Sequence, residues 1–109
     1  MSEKLTDEQE LELLEREIER AQAQGKSINK YVMRQIEILQ NAINVFMKQM
    51  KKENRLEDVQ VAEIEIRQYA MMRELAKRIN EPTKKYDDKI KQIRIRLFGD
   101  DNYNLLFKE

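Results

Sequence analysis

Between Ile28 and Met50, apolar side chains return at helical intervals along the whole stretch: Ile28, Val32, Ile36, Leu39, Ile43, Phe46 and Met50. Steps of four, four, three, four, three and four place all seven on one stripe of a continuous helix. Tyr31, Met33, Ile38, Ala42, Val45 and Met47 widen that stripe, so more than one neighbour has to cover it. A helix with so much apolar surface does not stand alone in water and is expected to be the core element. Gly25-Lys26-Ser27 precedes it. Gly25 suits the left-handed position that ends one helix, and Ser27 suits the cap of the next.

The flanking segments carry the same kind of signal. Thr6-Asp7-Glu8-Gln9 has the form of a capping box, with acids in the first turn of a helix. Leu11, Leu14, Ile18 and Ala21 then form an apolar stripe, Leu13 lies beside it, and Glu12, Glu15, Arg16, Glu19 and Arg20 occupy the other face. After Lys48, Lys51 and Lys52, Asn54-Arg55-Leu56-Glu57 offers a further cap. From Val59 to Ile79, Ala62, Ile66, Tyr69, Met72, Ala76 and Ile79 make one stripe, and Ile64, Met71 and Leu75 make a second. Pro82 suits the first turn of another helix, in which Tyr86, Ile90, Ile93 and Leu97 recur. Gly99 stops it, and Asp100 or Asp101 suits the cap of a short final turn carrying Tyr103, Leu106 and Phe107. That tail is expected to fold back onto the bundle or to insert into a neighbour.

Two stretches have a rival reading. Residues 59–66 are dense in β-branched side chains, and Ile93-Arg94-Ile95-Arg96-Leu97 alternates apolar with basic, as strands do. Length and the helical continuation of each segment favour helix. The chain therefore reads as one all-α domain over residues 1–109: a helical bundle of about four helices plus a short C-terminal helical turn. Two glycines, one proline and a charged fraction of 39% fit long helices with few turns.

Composition removes whole classes of chemistry. The chain has no cysteine and no histidine, which excludes disulfides, thiolate nucleophiles, His-based triads and zinc sites built on His or Cys. Glu63 and Glu65 stand two apart and diverge on a helix, while Asp100 and Asp101 sit where a helix start favours carboxylates. No catalytic, cofactor-binding or metal-ligating set follows, and the expectation is a protein that is not an enzyme. Met47, Met50, Met71 and Met72 fit either an adaptable groove or a core.

Formal net charge is zero, but charge is uneven. Residues 1–20 carry eight acids against three bases, whereas residues 84–96 carry Lys84, Lys85, Lys89, Lys91, Arg94 and Arg96 against Asp87 and Asp88. Those six bases are the candidate nucleic-acid contacts. A solvated helix face, or pairing with an acidic helix, accounts for them as well. Residues 1–20 lack a signal-peptide pattern and no long apolar run occurs, so no membrane role is expected. The expected compartment is the cytoplasm.

Leu5-Thr6-Asp7-Glu8 through Gly25-Lys26-Ser27-Ile28-Asn29-Lys30-Tyr31-Val32 resembles the ribbon-helix-helix DNA-binding family, the likeness extending over residues 5–40. It implies an obligate dimer whose strand, over Met1–Leu5, enters the major groove. Glu3 stands where that family carries basic or polar readers. Leu97-Phe98-Gly99-Asp100-Asp101 with Leu106-Phe107 resembles the C-terminal part of small tail-assembly chaperones of Gram-positive siphophages. That likeness implies a non-enzymatic helical protein that coats or recruits a tail component, with Phe98, Leu106 and Phe107 as contact residues; Tyr103, on the same short turn, joins them as a candidate protein-interface residue. The leading expectation is thus a helical interaction or assembly protein that buries apolar helix faces on a protein partner or on itself, most simply as a homo-oligomer. The alternative is a ribbon-helix-helix-like dimeric DNA-binding accessory protein or repressor.

Overall fold

Short-range devices set several of the helix ends, and those ends explain the order of elements. In a computed structural model describing residues 4–107, the elements are α1 (Asp7–Ala23), α2 (Asn29–Lys52), α3 (Val59–Arg78), α4 (Lys84–Phe98) and α5 (Asp100–Phe107). Thr6 closes the capping box: Gln9 N–H donates to Thr6 Oγ1 at 3.2 Å, and Thr6 N–H donates to Gln9 Oε1 at 3.0 Å. The cap position of α2 is Ile28 rather than Ser27 and has no side-chain cap, although Ser27 Oγ accepts from the Asn29 N–H at 3.3 Å one residue before it.

The first three helices all stop in the same way. Gly25, Asn54 and Asn80 hold positive φ of 68°, 57° and 60°. The residue after each donates its N–H five positions back, Lys26 to Ala21, Arg55 to Met50 and Glu81 to Ala76, at 2.8 to 2.9 Å. This pairing satisfies last-turn carbonyls that would otherwise lack donors. Asn54 therefore ends α2 and does not cap α3. The cap of α3 is Asp58, whose Oδ1 accepts from the Gln60 N–H at 2.8 Å. Asp100 and Asp101 likewise lie inside the first turn of α5, behind Gly99. Asparagine is ambiguous because its side chain suits caps while its backbone tolerates the left-handed region.

Both segments with a rival strand reading are helical. The β-branched run at 59–66 obeys a helical burial period: Val61, Ala62, Glu65, Tyr69, Met72 and Ala76 are buried, while Val59 and Ile64 are exposed. Packing on two neighbours outweighs local β propensity. The alternation at 93–97 dissolves similarly, since Ile93 is buried and Arg96 lies beside Glu65 of α3. The strand considered for Met1–Leu5 lies largely outside the described residues, and Lys4 and Leu5 have no regular structure.

Tertiary packing follows chain order. Each helix packs on its sequence neighbours: α1 on α2, α2 on α3, α3 on α4 and α4 on α5. Short connections make these neighbours antiparallel. Val32, Ile36, Leu39 and Ile43 of α2 meet Ile18, Ala62, Tyr69, Met72 and Ala76, and Tyr86, Ile90 and Ile93 extend the core under α4. Ile18, Met72 and Ala62 have no exposed surface, and truncating Ile18 or Met72 to alanine costs about 2–5 kcal/mol in such settings. The all-α bundle is thus a corrugated layer measuring 50 × 39 × 15 Å. Its radius of gyration is 16.6 Å, against about 13 Å for a compact domain of this length.

Candidate interaction groove

Because α1 and α3 both pack on α2 without packing on each other, a groove opens between them with α2 as its floor. Leu11, Leu39, Ala70, Met71 and Leu75 supply its apolar lining, and its volume is about 670 Å³. The second stripe of α3 accounts for one wall. Its first stripe is spent on α2 and α4, whereas Ile64 and Met71 remain 43% and 48% exposed, with Leu75 half-buried beside them. Met71 belongs to the groove, while Met50 and Met72 belong to the core.

Polar groups converge at one end. Glu15 Oε1 accepts from Gln35 Nε2 at 2.8 Å and from Arg78 Nη1 at 3.2 Å, tying α1, α2 and α3 together. An ionised carboxylate only accepts, so the Gln35 nitrogen must face Glu15. This leaves Gln35 Oε1, which is buried, without a donor among the described residues. On the α3 rim, Arg67 makes no hydrogen bond or ion pair among the described residues, unlike Arg78 and Glu74. The α1 rim is acidic: Glu8, Glu12, Glu15 and Glu19 recur at steps of four, three and four and so form one stripe. Glu10, just off that stripe, pairs with Arg34 of α2 at 2.6 Å, and the arginine's hydrogen bond holds its carboxyl below the usual value.

The four tail residues expected as an interface separate. Phe98, Tyr103 and Phe107 form one aromatic cluster, with centroids of 5.8 Å for Phe98–Phe107 and 5.3 Å for Tyr103–Phe107. Arg94 lies 4.6 Å from the Phe107 centroid and Lys91 5.7 Å from that of Tyr103. Leu106 stands outside the cluster, 60% exposed, and Leu105 beside it is 82% exposed. The tail folds back on α4 alone and not on the wider bundle.

The six candidate nucleic-acid bases do not share a face. By helical spacing Lys85, Lys89 and Arg96 flank one side of the buried α4 stripe, and Lys84, Lys91 and Arg94 flank the other. Arg96 is paired with Glu65, and Lys84 donates to Asp88 at 2.8 Å. Glu63 is exposed and Glu65 buried, so those two acids diverge.

Groove residues Gln35, Arg67 and Arg78 had no sequence signal, because polar residues on a helix reveal nothing about which helix they face. Ile64, Met71 and Leu75 did have one, the surplus stripe. Among the described residues no helix is long and apolar enough to cross a membrane. No family model, curated protein or solved structure matches this chain.

Proposed function

We propose that this protein is a non-enzymatic helical interaction module that receives an apolar helix face in the groove between α1 and α3. The observation that carries this reading is the surplus stripe of α3: Met71 stays exposed and Leu75 half-buried beside an apolar floor although α3 already has two packing partners. Helix-in-groove recognition uses such a surface, with apolar side chains at helical spacing as anchors and charged groups on the rim. The likeness of Leu97–Asp101 and Leu106–Phe107 to siphophage tail-assembly chaperones points the same way, towards a phage assembly factor that holds a partner without chemistry. The DNA-binding alternative draws less support, since Lys84 and Arg96 are engaged within the chain and the six bases divide between two sides of α4.

A photo-crosslinking residue at Met71 tests the reading directly. It is expected to capture a protein in cells of the source, whereas the same group at exposed Asn41 of α2 captures none. Equal labelling from both positions, or none from Met71, would count against the groove.

A further inference from the structure

We propose that the occupant of the groove is a second copy of this chain, and that the two copies pair by a two-fold axis running along it. This rests on the reading of the groove as an interaction site and names its partner.

The first support is area. A compact chain of 13.2 kDa exposes about 6,400 Å², whereas this one exposes 8266 Å². Even if residues 1–3, 108 and 109 exposed all that unfolded residues do, about 900 Å² in total, roughly 900 Å² of excess would remain. A standard-size interface removes about 800 Å² from each partner. Domains ordinarily pack two layers of secondary structure around their core, and this chain supplies one layer 15 Å deep. A second copy laid face to face supplies the other.

The second support is charge. The α1 rim carries the acidic stripe Glu8, Glu12, Glu15 and Glu19; on the α3 rim Glu74 is paired with Arg73 and Lys77 and Arg78 with Glu15, which leaves Arg67 without an acidic partner among the described residues. A two-fold along the groove sets α1 of each copy against α3 of the other, parallel to it and at the same level. Arg67 of one copy then meets Glu8 and Glu12 of the other, and the same contact recurs on the opposite side, as an isologous interface requires. A two-fold across the groove would set the acidic stripes against each other.

The test is light scattering and native mass spectrometry of the full chain at tens of micromolar. A dimer is expected. Met71→Glu, at an exposed position, is expected to raise the dissociation constant at least tenfold while helicity is unchanged. Arg67→Glu, and separately the pair Glu8→Lys with Glu12→Lys, are each expected to weaken self-association. Mixing these two variants is expected to restore dimers as heterodimers, because each then meets its opposite at both contacts. A monomeric wild type overturns the proposal, as does a dimer indifferent to Met71→Glu or a mixture that stays monomeric. Capture of a different protein from Met71 by a monomeric chain would leave the groove reading standing and remove the second copy. A monomer with no capture removes both.

Discussion

Arg78 donates to Glu15 across 3.2 Å, joining the end of α3 to the middle of α1, two helices held apart elsewhere by α2. The same carboxylate oxygen receives the Gln35 amide. Glu15→Ala is therefore expected to leave the buried Gln35 amide without its acceptor, at a cost of about 1–3 kcal/mol. Gln35→Leu removes both the amide and its undonated oxygen together, and is expected to be close to neutral. Urea unfolding of the two variants checks the contrast; equal losses would contradict it.

Glu65 is the one buried carboxylate among the described residues, its side chain 6% exposed, and Arg96 is its partner from α4. Arg96→Ala leaves that charge unpaired. The arginine is 34% exposed, which admits water, so the expected loss is about 2–3 kcal/mol, at the low end for a broken buried pair. Glu65→Met with Arg96→Leu is expected to recover most of it. Thermal unfolding of the single and double variants separates these outcomes.

The left-handed stops make a graded set. A side chain at Gly25 meets no neighbour within 4 Å, so the cost of Gly25→Ala is conformational alone. The expected loss is about 1 kcal/mol, and Asn54→Ala and Asn80→Ala are expected to lose about as much. For a domain of this size each is a fall of roughly 4 °C or more in melting temperature. Loss at Gly25 with no effect at either asparagine would show that neither the asparagine side chains nor their tolerance of positive φ stabilises those turns.

Stability is expected to be flat between about pH 6 and 9, since the chain has no histidine or cysteine to titrate there. Glu10 and Asp58 lie below their ordinary values of 4.5 and 3.8, Glu10 chiefly through the Arg34 hydrogen bond and Asp58 through that of Arg55. A lowered folded value gives stability that is complete above the ordinary value and is lost as pH falls through the folded one. Lys84 is raised from 10.5 by Asp88, so its contribution is complete below that pH and is lost as pH rises further. Unfolding midpoints measured from pH 3 to 11 should trace this plateau and both declines, and Arg34→Gln should soften the acid side.

The tail is expected to open independently of the core. α5 touches α4 alone, buries no residue and rests on the Phe98–Tyr103–Phe107 cluster. Phe107→Ala should speed hydrogen exchange in residues 100–107 without moving the global unfolding midpoint. A matching fall in global stability would place α5 within the cooperative core.

Local pattern carried far in this chain. The capping box at Thr6, the stop at Gly25 and the stripes of all four main helices were legible because each depends on residues within one or two turns. Asn54 was misread because cap and left-handed stop favour the same residue type. Glu65 and Gln35 were opaque, since a polar residue one step off an apolar stripe looks solvated until a neighbouring helix covers it.

The surplus stripe Ile64, Met71 and Leu75 shows where the two kinds of information part. Periodicity sets which residues share a helix face, since backbone geometry alone decides that. Whether a face is covered depends on which helices adjoin it, at what offset and angle, and those are long-range relations between segments such as Glu15 and Arg78. Helix positions, their ends and their apolar faces were thus written locally. The serial layer, the groove over α2 and Arg67 on its rim, unpaired among the described residues, arose only from packing, because a stripe of side chains does not specify its partner.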